Sequence, residues 1–507
     1  MTRPRNRRSI LPGRWSSAAL AVWACAYGFA QASDTRAGDA EHGMGDIELS
    51  LPQAVGRALQ DNPTLVDAKL SRRVQRFDLA QAENWFVPEL GFGTVSLEQT
   101  ADLGGDAEFY RLAAGPGVLL RLPTGGTVDM SPSWSVLLDE SGQTVSDGAG
   151  VRVRLRQPLL RSGGLTAGTA PVRLARLAEA GHMLNFEAAA MDVVTAVIYR
   201  YRAVIEAERR EQIDQGALDR TRDTLAVNRA LIDTGRMADT ALAETQAEVA
   251  RRELALIRSQ DRRDDARRNL NVMLSLDAGA RVRATEQATV DVRAAPPDLN
   301  AVMALAQTGH TAYRRALLNV ERAELGVALA DNDTLWDVSF TADVELLRTG
   351  SPGGLQGGLV RDLTRPYTVG IALSVPVGDS AAKARRRARL AARTAARQAE
   401  KALASTVREM ETDVQNGVRA IRVRLREVEL AQRALELAAE KLEVEQEKLR
   451  LGLSTNFRVT RFQADLVQAQ VSELNARIGY LNAVAALDRA VGGTLATWNI
   501  DVEALQE

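Results

Sequence analysis

The chain has 507 residues, and its 64 Lys and Arg against 65 Asp and Glu leave a net charge of −1, which gives no general attraction to nucleic acid. Its single cysteine, Cys25, excludes a disulfide framework, and three dispersed histidines leave little for a metal centre. Only 4% of the residues are aromatic, which disfavours a large β-sandwich. We therefore expect no nucleic-acid partner, no cofactor and no metal.

The N-terminus has the composition of a secretory signal peptide. Five arginines without an acidic residue precede an apolar stretch at 18–26, and a small-residue cleavage site ends at Ala32. We expect residues 1–32 to be removed on export. A lipid anchor on Cys25 is a second interpretation, although the bulky Trp23 fits poorly before a lipoprotein cysteine.

The rest of the sequence contains an internal duplication. Residues 234–249 align with residues 451–466 at an offset of 217, and the same offset aligns a series of apolar residues upstream. Nearer the N-terminus the offset is 30 residues larger, which indicates an insertion at about 94–150 in the first unit. We expect two repeats, 33–280 and 281–507, each with a helix, strands and a long helical hairpin.

Hydrophobic spacing predicts long supercoiled helices in both repeats. Seven apolar residues from Val407 to Leu449 follow one another at intervals of seven. Such a repeat keeps one seam of a helix facing its neighbour. The predicted helices are about 171–233 and 237–276 in the first repeat, and about 381–451, roughly 100 Å long, and 455–491 in the second.

Alternating apolar and polar residues predict strands ahead of each helical hairpin. Residues 151–156 alternate apolar residues with arginine, and residues 369–375 alternate apolar residues with small ones. A soluble sheet covered on one side gives this pattern too, but export, duplication and the long helices favour a lipid-facing barrel with a wet interior. The insertion adds a candidate hairpin at 115–137. Glycine-rich polar stretches near 101–108, 139–150 and 350–360 predict exposed loops.

This order of elements resembles the TolC-like outer membrane factors over residues 47–495. The most specific pieces are residues 157–164 after a strand and residues 451–457 at a helical hairpin tip. The resemblance implies an α+β, mostly α fold: a trimeric outer-membrane β-barrel continued by a long periplasmic α-helical coiled-coil barrel, built from two tandem strand-strand-helix-helix repeats. Family members give four strands per protomer, and the insertion leaves open whether this chain gives four or six.

The resemblance also implies a function. The protein would be a passive exit duct of a tripartite efflux or type I secretion system, located in the outer membrane and extending into the periplasm. The implied partners are outer-membrane lipid, two further copies in a homotrimer, a periplasmic adaptor (membrane fusion) protein and an inner-membrane pump of RND or ABC type.

Two other classes of protein compete with this interpretation. An enzyme is not expected, because no Gly-rich phosphate loop follows a strand, and the acidic pairs Glu443/Glu445 and Glu244/Glu248 are typical of solvated helix faces. A periplasmic adaptor or structural coiled-coil protein is the alternative. It accounts for export and for helical hairpins, but not for the duplication or the matched strands.

In the family that the chain resembles, the turns between paired helices dock the adaptor. Carried onto this chain, the docking turns contain Gly235, Arg236, Gly452 and Leu453. Glycine permits the positive φ of a tight turn, and for any one such glycine the alternative is an ordinary helix C-cap without a partner.

The periplasmic gate departs from the family pattern. Where the family places rings of carboxylates, this chain has Arg458 and Arg461, and the nearest acidic residues are Asp239 and Asp465. The two arginines are three residues apart and share one helix face. Two hypotheses stay open: threefold symmetry makes them a basic ring, or they pair with Asp239 or Asp465.

Overall fold

The computed structural model of the chain describes residues 47–92, 96–101, 108–138, 144–234, 240–277, 279–286, 288–291, 296–350, 367–375, 379–451 and 453–506. The predicted signal peptide with Cys25 lies outside these ranges. Of the residues with a predicted role at the helix tips, Gly235, Arg236, Asp239 and Gly452 lie outside them as well.

Short helices, strands and two long helices follow one another in the first half of the described chain. The first helix begins with a capping box, in which Ser50 Oγ accepts the Gln53 N–H while the Gln53 side chain accepts the Ser50 N–H. The next helix begins after Asn62, whose side chain accepts the Thr64 N–H at 3.0 Å. The elements are β1 (Ile47–Leu49), α1 (Leu51–Asp61), α2 (Pro63–Glu83), β2 (Glu89–Phe92), β3 (Ser96–Ala101), β4 (Glu108–Ala114), β5 (Pro116–Arg121), β6 (Thr127–Leu138), β7 (Thr144–Pro158), α3 (Leu165–Gly168), α4 (Ala170–Asp233) and α5 (Thr240–Met273).

The second half shows the same order with fewer strands. Its helices also begin at capping side chains: Asp298 accepts the Ala301 N–H at 3.1 Å, and His310 Nδ1 accepts the Tyr313 N–H at 3.1 Å. The elements are β8 (Val282–Ala284), α6 (Leu299–Gly309), α7 (Thr311–Asn332), β9 (Asp337–Gly350), β10 (Tyr367–Ser374), α8 (Asp379–Arg450), α9 (Asn456–Val491) and α10 (Thr494–Thr497).

The predicted seam of α8 is confirmed as a packing surface. Val414, Ile421, Val428, Leu442 and Leu449 are all buried, at successive or doubled intervals of seven. Near the far end of α8 the seam packs against apolar residues of α9, as in an antiparallel coiled coil. Among the described helices, none combines the length and apolar character needed to cross a membrane.

The main hydrophobic core lies where α1 packs against α4 and the end of α5. Tyr201 is fully buried there, and its hydroxyl donates to the Leu49 carbonyl at 2.8 Å, which gives the buried polar end a partner. Beside it β1 and β8 pair in parallel, with Ile47 opposite Val282. The start of the second half is therefore bound to the start of the first.

The remaining strands form one antiparallel sheet whose eight segments occupy six neighbouring positions. In order, β10 pairs with β9, β9 with β7, and β7 with β6. Beyond β6, β4 and β5 lie end to end along it, and they pair in turn with β3 and β2. The hairpin predicted at 115–137 is present as β5 and β6. It lies within the sheet, so that the described first half fills four positions and the second half fills two.

Strand β7 is longer than the sequence predicts. The glycine-rich composition predicts a loop over residues 139–150, but β7 already begins at Thr144, so the prediction is wrong from that residue onward. Gly148 and Gly150 stand opposite Ser135 and Ser133 of β6, and β9 pairs with them from the other side. Hydrogen bonding to β6 on one side and to β9 on the other holds these residues extended despite the low β-propensity of glycine. The tendency of a residue to form a strand depends strongly on the neighbouring strands.

A buried ion pair joins α2 to α4. Arg72, whose side chain is 3% exposed, donates to both carboxylate oxygens of Glu179. Gln506, near the C-terminus, accepts from Arg76 at 2.6 Å beside this pair. The hydrogen bonds from Arg72 hold the pKa of Glu179 below its usual value, against the opposing effect of burial.

We expect Glu179→Gln to lower the free energy of unfolding by about 2 kcal/mol at neutral pH, because a charge-assisted hydrogen bond is lost. The pKa of Glu179 is lower in the folded chain than in the unfolded chain. Its contribution is therefore complete above the unfolded pKa and disappears as the pH falls through the folded pKa. Urea unfolding should show the difference between variant and wild type at pH 7 shrinking in acid below about pH 4.

The matched control is Glu83→Gln, because Glu83 also joins α2 to α4, through an exposed pair with Arg176 at 3.1 Å. Exposed pairs contribute about 0–1 kcal/mol, so this variant should change little. Equal losses in the two variants, or a loss in Glu179→Gln that does not vary with pH, would contradict the assignment.

Candidate functional site

One face of the sheet is apolar across all six strand positions. Its side chains are most exposed on the edge strands, where Leu90 is 82% exposed and Ile371 is 70% exposed, and those of the inner strands are partly exposed. Such a continuous exposed apolar surface is typical of a contact with lipid or protein. One row across the whole sheet consists of Leu90, Val118, Met130, Val153, Val344 and Tyr367, and the next row on this face consists of Leu120, Val128, Leu155, Ala342 and Val369.

The opposite face is polar, and ion pairs connect its strands. Asp343 of β9 lies between Arg154 and Arg152 of β7, with Nε–Oδ distances of 2.9 and 3.9 Å. At the end of β5, Arg121 pairs with Glu89 of β2 at 2.5 Å. A sheet with one exposed apolar face and one charged face is typical of a barrel wall between lipid and water.

A second apolar seam runs along α8. Val423, Leu430, Leu437 and Val444 follow one another at intervals of seven, and each is about half exposed. A seam of this kind ordinarily packs against another helix. Its signal in the sequence is the same interval of seven, shifted by two residues from the first seam.

The turn between α8 and α9 presents apolar side chains at the tip of the second hairpin. The Leu453 N–H donates to the Lys448 carbonyl at 2.8 Å and closes the end of α8. Leu453 is 72% exposed, and Leu451 and Phe457 are nearly as exposed. Apolar residues grouped at an exposed tip are more typical of a protein contact than of a solvated turn.

Arg458 is held by Glu445 of α8, with 3.2 Å between Nε and Oε1. Glu445 also accepts from the Ser454 hydroxyl at 2.5 Å, and its side chain is only 4% exposed. The prediction that the Glu443/Glu445 pair lies on a solvated face is therefore wrong for Glu445. The Ser454 hydrogen bond, together with the charges of Arg458 and Lys448, holds the pKa of Glu445 below its usual value.

The other acidic and basic residues of the tip differ in their surroundings. Arg461 and Asp465 are both exposed on α9. Glu248 of α5 is buried and pairs with Arg252 at 2.8 Å, so the predicted solvated face is wrong for Glu248 too. The part of the chain that the structure describes contains no group of three or more His, Cys, Asp or Glu that could hold a metal ion.

A buried polar cluster joins the two helical hairpins close to their tips. Thr245 Oγ1 of α5 accepts from the Asn228 amide of α4 at 2.7 Å and from the Asn456 amide of α9 at 3.0 Å. Further along, the Gln463 amide of α9 donates to Thr224 Oγ1 of α4 at 3.0 Å. Buried polar groups require such partners, so the cluster fixes α9 against the first hairpin.

Part of the sequence matches a known protein family. Residues 302–493 match the family model described as outer membrane efflux protein. The search of curated proteins returns no match. The family match confirms, over these residues, the resemblance found from the sequence.

Solved outer membrane channels share the fold over most of the chain. The outer membrane protein VceC of Vibrio cholerae is 15% identical, with 87% of this chain and 96% of that chain covered and a TM-score of 0.64. The MtrE channel of Neisseria gonorrhoeae, in its open state, is 15% identical over 88% and 89% of the two chains, with a TM-score of 0.65. The CmeC channel of Campylobacter jejuni is 13% identical over 88% and 86%, with a TM-score of 0.61. At these identities the likeness establishes the fold alone, and it confirms the predicted mostly helical α+β class.

Proposed function

We propose, from the match of residues 302–493 to the outer membrane efflux proteins and from the shared fold, that this chain forms a passive exit duct through the outer membrane. The observation that carries the proposal is a sheet with an exposed apolar face and a charged face, continued by helices about 100 Å long. In this proposal an inner-membrane pump of RND or ABC type supplies the energy, within a tripartite efflux or type I secretion system.

The duct is proposed to be a homotrimer. A single sheet leaves open edges, and an open edge in lipid would leave backbone N–H and C=O groups without partners. The second seam of α8, from Val423 to Val444, is likewise left half exposed in one chain. Neighbouring copies that pair at the sheet edges and pack on this seam would account for both surfaces.

Reconstitution into a planar lipid bilayer tests the duct. Purified protein is expected to insert and give long-lived ionic conductance. Protein that stays in solution and gives no conductance would instead support the alternative, a periplasmic adaptor or structural coiled-coil protein.

The proposed adaptor site comprises the two hairpin turns, with Gly235 and Arg236 in one and Gly452 and Leu453 in the other. The docking role of the second turn is supported by its exposed apolar tip, formed by Leu451, Leu453 and Phe457. An adaptor that presents a complementary apolar helical tip would remove these side chains from water.

We expect Leu453→Asp to weaken adaptor binding at least about tenfold, which corresponds to about 1.4 kcal/mol, because a carboxylate would be desolvated in an apolar contact. The measurement is chemical cross-linking of the trimer to the periplasmic adaptor of its host. The control is Leu390→Asp, which lies near the other end of α8 and is similarly exposed. Equal cross-linking by both variants, with trimers intact, would count against this docking site.

The proposed gate comprises Asp239, Arg458, Arg461 and Asp465 at the periplasmic mouth. Because the buried Glu445 carboxylate compensates the charge of Arg458, Arg461 should supply most of the positive field of a ring. Rings of arginine favour the passage of anions.

We expect Arg458→Ala combined with Arg461→Ala to shift ion preference away from anions, measured as the reversal potential of single channels in a salt gradient. Arg461→Ala alone should already reduce the preference for anions. The control is Arg222→Ala with Arg229→Ala, which removes the same charge from exposed positions on α4. An unchanged reversal potential in the tip variant would refute the basic ring.

A further inference from the structure

We infer that the trimer closes into a barrel of eighteen strands, not the twelve that the family resemblance implies, because the extra hairpin β5–β6 is part of the lipid-facing wall. The inference rests on the proposed duct. It makes the wall of this protein wider, since barrel diameter grows roughly in proportion to strand number. Three copies with six strand positions each give the count of eighteen.

The extra hairpin continues both faces of the sheet without interruption. On the apolar face Val118 stands opposite Met130, and Met130 stands opposite Val153 of β7. On the polar face Asp129 stands opposite Arg154. A hairpin folded outside the wall as an aqueous loop would have no need for an apolar face in register with its neighbours.

The turn at the base of the hairpin is fixed to the junction between β7 and α3. The Thr124 carbonyl accepts the Gly164 N–H at 3.0 Å and the Gln157 side-chain amide at 3.1 Å. Gly125 has a φ of +84°, and a Cβ there would lie 2.1 Å from the Ser162 carbonyl oxygen. The turn is therefore shaped to lie closely on this junction.

The other flank of the hairpin is fixed to β2 and to the turn that follows α2. Arg121, the last residue of β5, donates to both carboxylate oxygens of Glu89 at 2.5 and 3.2 Å. The guanidinium carbon of Arg121 also lies 4.3 Å from the centroid of the Trp85 ring, a cation–π distance. Contacts on both flanks hold the hairpin between β2 and β7.

The two open edges of the sheet suit a second copy of this chain. Within the described residues, one edge is formed by β10 and the other by β2 and β3, and neither has a second neighbour. Successive positions of this antiparallel sheet run in opposite directions. The first and the sixth positions, which are its two edges, therefore run in opposite directions too. The β10 edge of one copy can therefore pair antiparallel with the β2–β3 edge of the next, and a head-to-tail contact of this kind closes a ring.

The size of such a ring fits the helices below it. Eighteen strands about 4.8 Å apart and tilted by about 40° have a perimeter of about 110 Å. Four helices of each copy, α2, α4, α7 and α8, adjoin the sheet and give twelve in the trimer, and at about 9–10 Å per helix their perimeter is also about 110 Å. The wider wall can thus continue into the helical tunnel without a step in diameter.

Spin labels on single cysteines in trimers reconstituted in lipid vesicles test the inference, with Cys25 replaced by serine. Met130→Cys on the apolar face of the hairpin is compared with Asp129→Cys on its polar face. Accessibility to oxygen reports lipid, and accessibility to a water-soluble nickel chelate reports water. We expect position 130 to contact lipid and position 129 to contact water. Leu120→Cys and Thr127→Cys repeat the comparison on neighbouring rows, in case a label at position 130 prevents assembly.

The matched controls are Val369→Cys and Thr368→Cys on β10, which belongs to the wall whether it has twelve strands or eighteen. A lipid–water contrast on β10 together with water contact at both faces of the hairpin would overturn the inference and leave the duct intact. The loss of the contrast on β10 as well would overturn the proposed duct itself, and the inference with it.

Discussion

Ile371→Arg is expected to abolish assembly of the proposed trimer in the outer membrane. Ile371 lies in the middle of β10, on the exposed apolar face, where it is 70% exposed. An arginine facing lipid near the bilayer midplane costs about 2–4 kcal/mol, and the trimer would bear this cost three times. The measurement is the amount of trimer in outer-membrane fractions, quantified on gels from unheated samples.

The matched control is Thr368→Arg on the same strand. Thr368 belongs to the polar face and stands opposite Asp343, which already accepts arginine contacts from β7. This variant should assemble normally. If Ile371→Arg assembled as well as Thr368→Arg, the apolar face would not be in contact with lipid.

Gly168→Ala is expected to lower the stability of the assembled protein strongly. A Cβ at this position would lie 2.1 Å from the Pro123 carbonyl oxygen and 2.4 Å from the Gly125 nitrogen. Both atoms belong to the backbone of the β5–β6 turn, so relief requires the turn to move away from α3. We expect a loss of about 3 kcal/mol or more, seen as a lower temperature of trimer dissociation.

The control for this variant is Gly181→Ala, within α4. No atom lies within 4 Å of a Cβ placed there, and alanine is the better helix former by about 0.5–1 kcal/mol. This variant should be unchanged or slightly more stable. Similar dissociation temperatures for both variants would mean that the turn does not rest closely on α3.

Periodic features of the sequence predicted much of the fold. The apolar residues of α8 at intervals of seven predicted a seam, and Val414, Ile421 and Val428 are buried along it. Alternation at residues 151–156 and 369–375 predicted strands whose apolar residues share a face. Periodicity succeeds here because each element presents one apolar face repeatedly along its length.

Contacts between distant residues were not predictable in the same way. Glu445 belongs to a charge-rich helix and looks solvated in the sequence, yet the hairpin turn brings Ser454 and Arg458 onto it. The position of the β5–β6 hairpin within the sheet depends on the backbone contacts of Thr124 and Gly168, which leave no periodic trace. Such pairings arise from tertiary structure and are visible only in the fold.

The mass and fractionation of the complex, after expression with its own N-terminus in a Gram-negative host, test the central claim most directly. The account predicts a trimer that is found in the outer membrane and requires detergent for extraction. A monomer released with the soluble periplasmic proteins would contradict it, since the apolar face of the sheet would then have to be covered by protein and not by lipid.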